Sequence, residues 1–222
     1  MKNEIHFPAV DAFSFSLARG DAVTHTSENV SLLIAEEPSK ILLSSRVYSL
    51  KAGDALLALP FSYRKTLDSS LAFCGYELCL PLTVLRAFAP NLSIRSADGG
   101  SALSLPHDSL ARLLVLLEAL WKAPADSVYS IMQIFSILEQ EVLPETESDL
   151  AVPLPKFLRR ALAYIQENVS EKMDTDTLSE RYGVSESTLR RAFRAYLATT
   201  PQKYAREIQN LRLLRYKKNE VL

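Results

Sequence analysis

"TDTLSERYGVSESTLRRAF", residues 175–193, is the stretch that decides the reading of this chain. Leu178 and Tyr182 lie one helical turn apart, as inward residues of a first helix would. Ser179 is small enough to let a second helix approach. Gly183 stands where a sharp turn asks for a positive φ, which glycine adopts without steric cost. Val184 fills the corner and Ser185 is placed as an N-cap. Leu189, Ala192 and Phe193 make an apolar inner face, which leaves Ser187, Thr188, Arg190, Arg191 and Arg194 outside. The pattern predicts a helix-turn-helix. Its second helix is apolar where it would seat on its own domain and cationic where it would meet a polyanion. A major groove admits one such helix, and arginine can hydrogen-bond guanine O6 and N7 together. The free N–H groups at the helix start suit phosphate.

The charge distribution agrees. The 222 residues carry a net charge of −1. Residues 156–222 hold 14 Lys/Arg against 8 Asp/Glu, whereas residues 1–155 hold 11 against 18. A basic C-terminal region on an acidic body suggests a polyanion partner, which with the helix-turn-helix pattern is double-stranded DNA; charge balance alone fits a merely solvated basic helix pair equally well. The N-terminus lacks a basic-then-apolar signal pattern, and the longest apolar run, "LLVLL" at 113–117, is far too short to span a membrane. A cytoplasmic protein without membrane association is expected. Cys74 and Cys79 lie five apart, on opposite faces if the segment is a strand. Two plain thiols are expected, with neither a disulfide nor a zinc site.

Working outward, the chain divides into zones. Residues 1–107 read as short strands without intervening helices: "AFSFSL", "VSLLIAE", "ILLSSRVYSL", "DALLALP" and "LAFCGYELCL", separated by the turn signals "ARGD", "EEPSK", "KAGD" and "LDSS". This pattern predicts an antiparallel sandwich or barrel. Residues 108–143 switch to helical period, with Leu110, Leu113, Leu114, Leu117 and Trp121 on one stripe and Val128, Ile131, Phe135, Leu138 and Val142 on another. Ala123-Pro124 breaks them into a helical hairpin. Ile134 and Ile137 widen its apolar face and suggest a second subunit as partner. Residues 144–155 are polar and proline-rich and read as a linker. Residues 156–222 are helical, with Asp174, Ser185 and Thr200 as candidate caps and Pro201 at a first helical position. The expected fold class is α+β: an N-terminal antiparallel β-barrel, a helical hairpin, then an all-α helix-turn-helix domain.

The segments "ALAYIQENV", "TLSERYGVSESTLRRAFRAYL" and "TPQKY" resemble the first helix-turn-helix module of the AraC/XylS family of bacterial transcription regulators. Ser185, Ser187, Leu189, Arg191, Phe193 and Arg194 fall at the family's characteristic steps. The resemblance is strong over the helix-turn-helix region and architectural elsewhere. It implies a cupin-like effector-binding barrel, a dimerisation hairpin, and a small organic effector. It assigns base reading to Ser187, Arg190 and Arg191, and phosphate contacts to Arg194 and Lys203. There are departures. Ala198 stands where the family usually has glycine, and Gln209-Asn210 where it has Arg-Leu. The family also joins two modules by a long helix. Here "YAREIQNLRLLRYKKNEVL" matches that helix and no second module follows it, so a truncated form or a lost module is expected.

Some cupin barrels are metal enzymes that use a histidine cluster. This chain has only His6, His25 and His107, far apart, and no nucleophile–base pair or phosphate loop. No enzyme activity, no cofactor and no metal are expected. Tyr63 and Arg64 are candidate ligand contacts near the mouth of the barrel; the alternative makes Tyr63 core and Arg64 a surface charge. The sequence thus reads as a DNA-binding transcription regulator, acting as a homodimer. A non-enzymatic module that sequesters a ligand or protein through the barrel and hairpin is the alternative. Effector, operator, and activation or repression stay open.

Overall fold

The computed structural model describes residues 3–6, 16–22, 29–67, 73–92, 100–103, 105–122, 127–141, 150–169 and 173–219. Ten strands and seven helices occur among them. The strands are β1 (Asn3–His6), β2 (Ser16–Ala22), β3 (Val30–Ala35), β4 (Ser39–Leu43), β5 (Arg46–Leu50), β6 (Ala55–Ala58), β7 (Arg64–Thr66), β8 (Phe73–Leu80), β9 (Gly100–Leu103) and β10 (Ala151–Val152). The helices are α1 (Leu82–Phe88), α2 (His107–Lys122), α3 (Ser127–Gln140), α4 (Lys156–Glu167), α5 (Thr175–Tyr182), α6 (Glu186–Leu197) and α7 (Pro201–Asn219).

The strands form two antiparallel sheets. One has six strands in the order β1-β2-β8-β3-β6-β9, the other four in the order β10-β5-β4-β7. Among the described residues no ladder joins the sheets into a closed ring. The period of two decides what each face buries. On β3, Leu32 and Ile34 turn toward the hairpin helices and pack with Leu113, Leu117, Ile134 and Leu138. Leu33 and Ala35 turn the other way and pack with Ile41, Leu43, Tyr48 and Leu50 of the smaller sheet. That sheet is also covered on both faces: Leu42 and Val47 point outward and pack with Leu158, Leu162, Phe193 and Tyr204 of the C-terminal helices. The layers are helical hairpin, large sheet, small sheet and helical domain. Burial on both faces is why all six residues of β3 are buried, where a half-exposed strand would alternate.

Several expectations are corrected. The "ARGD" turn signal lies inside β2, whose Ala18–Asp21 pair with Glu77–Cys74 of β8. Pairing of all four with β8, and of Ala18 and Arg19 with β1, outweighs a local turn preference. The run "ILLSSRVYSL" is two strands, because Ser44-Ser45 make a hairpin between β4 and β5. Ser44 takes φ 50° there. The zone expected to be all strand contains α1, and "DALLALP" supplies only the four residues of β6. Residues 68–70 of the signal "LDSS", most of "AFSFSL" and Val142 lie outside the described residues. Ile134 and Ile137 are fully buried in the subunit's own core, so they do not face a partner. Among the described residues, the large apolar side chains that the hairpin exposes are Val115, Val128, Tyr129 and Met132.

Of residues 144–155, the described part is docked. Ala151 and Val152 pair with Tyr48 and Val47 as an edge strand, and the Leu150 carbonyl accepts from the Ser49 N–H at 2.8 Å. The chain therefore enters α4 from a fixed point on the small sheet. Cys79 is half-buried and in no disulfide, and its thiol donates to Glu77 Oε1 at 3.6 Å. No helix among the described residues is long and apolar enough to cross a membrane.

Candidate nucleic-acid interface

The α5–turn–α6 unit is held by its own backbone chemistry. Gly183 ends α5 in the left-handed region, at φ 63° and ψ 37°. Its N–H donates to the Glu180 carbonyl, and the Val184 N–H donates to that of Ser179 at 3.0 Å, which closes the end of α5. Nothing lies within 4 Å of where a Cβ on Gly183 would be, so the turn needs glycine for its φ and not for space. Ser185 then caps α6: its Oγ accepts from the Thr188 N–H at 3.1 Å. The Ser187 and Thr188 hydroxyls lie 2.9 and 2.8 Å from the same oxygen, so the start of α6 carries a small hydroxyl network.

The inner face of α6 is Leu189, Ala192, Phe193 and Leu197, all buried. The α4 residues Leu158, Ala161, Leu162 and Ile165 and the α7 residues Tyr204, Ala205 and Ile208 belong to the same core. Ser187, Thr188, Arg190, Arg191 and Arg194 are exposed. Spacings of three, four and seven put Ser187, Arg190, Arg191 and Arg194 on one face. Lys203 is exposed in the first turn of α7, where the Thr200 Oγ1 accepts from its N–H at 3.2 Å. Arg190 is paired with Glu186, one turn earlier, at 2.5 Å. The Glu-to-Arg spacing of four is the signal in the sequence that points to this pair, and the outward-facing pattern alone misses Glu186.

A seam joins this head to the small sheet. Tyr204 of α7 is fully buried, and its hydroxyl donates to the Ser44 carbonyl at 3.1 Å while accepting from the Gln166 side-chain amide at 2.6 Å. The Tyr63 hydroxyl donates to the Glu207 carboxylate at 2.5 Å. The two phenol rings meet edge to face at 5.2 Å. Burial, with the nearby Glu207 carboxylate adding to it, pushes the Tyr63 phenol up, and burial does the same to Tyr204. A cavity of about 210 Å³ opens beside them, lined in part by Ser44, Tyr63, Gln166, Ile208 and Arg212.

Tyr63 and Arg64 are not brought to one place. Tyr63 belongs to the seam. Arg64 is buried inside the β unit, ion-paired with Glu77, whose Oε1 also accepts from Ser31 at 3.0 Å. It is therefore not the surface charge of the alternative reading. Among the described residues, no three His, Cys, Asp or Glu side chains gather as a metal site would need.

No family model matches the chain, and no curated protein matches it. Among solved structures it is similar to the AraC-like transcriptional activator CuxR, with 15% identity and a TM-score of 0.40, over 97% of this chain and 86% of that one. It is also similar to ToxT from Vibrio cholerae O395, with 9% identity and a TM-score of 0.36, over 94% of this chain and 78% of that one.

Proposed function

We propose that the chain is a DNA-binding transcription regulator of the AraC type, and that α6 enters the major groove. The observation that carries this reading is the division of α6. Its buried side seats it on α4 and α7, and its open side holds Arg190, Arg191 and Arg194 with the hydroxyls of Ser187 and Thr188. Ser187, Arg190 and Arg191 stand nearest the start and middle of the helix and take the base-reading role. Arg194 and Lys203 take phosphate contacts. A small organic effector held by the β unit has a route to the head through the Tyr63–Glu207 and Tyr204–Ser44 bonds. A homodimer formed through the exposed apolar residues of α2 and α3 supplies two heads, which raises apparent affinity without new contact types. The test is binding to mixed-sequence duplex DNA over a range of salt. The logarithm of the association constant should fall linearly with that of the salt concentration, by about 0.9 per phosphate neutralised. Absence of salt-dependent binding overturns the reading.

A further inference from the structure

Glu186 is out of place on a surface that meets DNA. It is the first residue of α6, at the end of the helix closest to the base-reading positions. A carboxylate there is repelled by phosphate. As a stabiliser of the free protein it offers little. A glutamate in the first turn suits the helix dipole, but an exposed pair at this spacing contributes only a few tenths of a kcal/mol. What it does visibly is hold one particular side chain. Its Oε2 accepts from Arg190 Nη2 at 2.5 Å, with the two side chains 39% and 51% exposed. Among the described residues, Arg191 and Arg194 on the same helix have no such partner.

A guanidinium has five N–H donors in a planar fork, and Glu186 engages only Nη2. Nη1 and the second hydrogen of Nη2 remain for a base edge. An arginine whose fork is already oriented loses less freedom when it docks on guanine O6 and N7 than one that must be ordered on arrival. The same carboxylate makes a mis-docked Arg190 unfavourable, because an arginine that swings away to a phosphate leaves Glu186 facing the DNA alone.

We propose that Glu186 is a positioning residue that sets base discrimination: it orients Arg190 for a guanine and penalises other bases at that position. This rests on the proposed DNA reading by α6. The experiment selects binding sites from a randomised duplex pool with the parent chain, then measures affinity for the selected site and for random duplex with E186A, E186Q, R190A and E186A/R190A. Circular dichroism checks that each is folded. The expected result is a guanine preference that R190A abolishes and E186A weakens about five- to tenfold at the same position. E186A should also bind random duplex more tightly than the parent, because a like charge is gone. E186Q keeps an acceptor and should recover part of the discrimination. The double variant should be no worse than R190A alone. Parent-like discrimination by E186A overturns the assignment, as does an equal loss for all sequences, which is what a purely structural role gives. If the parent shows no salt-dependent binding to any duplex, the reading of α6 fails and the assignment fails with it.

Discussion

The Tyr63 hydroxyl donates to the Glu207 carboxylate across 144 positions of sequence, from the small sheet to the helix that follows α6. This bond and that of Tyr204 to the Ser44 carbonyl make the β unit and the head share one core. Removing the Tyr63 hydroxyl should loosen that seam and leave both units folded. Tyr63→Phe is expected to cost about 1–2 kcal/mol, since it breaks a hydrogen bond to a charged group that can partly rehydrate. Denaturant titration reads the loss. Hydrogen exchange should show it concentrated at the seam, in β4, β7 and the first turns of α7.

The seam should also weaken in alkali. In the unfolded chain both phenols ionise near pH 10, whereas burial keeps them protonated in the folded protein. The folded state then holds more protons than the unfolded state. The stability that this protonation provides is complete below pH 10 and declines as pH rises above it. Thermal melts from neutral pH to about pH 11 should fall more steeply for the parent than for Tyr63→Phe. Parallel curves would remove Tyr63 from the account.

Two caps make opposite predictions. Ala198 closes α6 in the left-handed region at φ 47°, a conformation that disfavours an L side chain. Ala198→Gly should stabilise by about 1 kcal/mol and raise the melting temperature by about 2–4 °C. Gly183→Ala, at φ 63° with no steric neighbour, should destabilise by a similar amount, about 1 kcal/mol. Melts of the two single variants test both, and a shared sign would contradict the turn geometry.

The exposed apolar residues of α3 carry the dimer proposal. Val128 and Met132 are one turn apart and 53% and 42% exposed, so charging both should not disturb the subunit's core. The Val128→Glu, Met132→Glu double variant is expected to sediment as a folded monomer and bind duplex DNA at least tenfold more weakly, as loss of a tethered second head requires. A folded monomer with parent affinity rules out this joint.

The sequence showed best what is set by near neighbours. The turn at Gly183, the Ser185 cap and the Leu189–Phe193 face each depend on residues within a few positions, and the structure has them where the pattern put them. It showed poorly what tertiary partners decide. Ala18–Asp21 carry a turn signal and form a strand because all four pair with β8, and Ala18 and Arg19 pair with β1 as well. Ile134 and Ile137 sit on a second apolar face of α3, and local pattern cannot say whether the subunit's own core or another subunit covers it; its own core does. Residues 150–155 have a linker's composition, yet they dock because β5 offers a free edge. The partners Tyr63 and Glu207, and Tyr204 and Ser44, are so far apart in sequence that no local spacing points to them.

The central claim, that α6 reads DNA, is tested most directly by comparing the parent with Arg191→Ala and Lys203→Ala on a site selected from a randomised pool and on random duplex. Arg191→Ala should lose about 1–3 kcal/mol on the selected site and relax discrimination at one base position. Lys203→Ala should weaken binding to every sequence about equally and reduce the salt slope by about 1. If both variants bind selected and random DNA as the parent does, α6 is not the reading element.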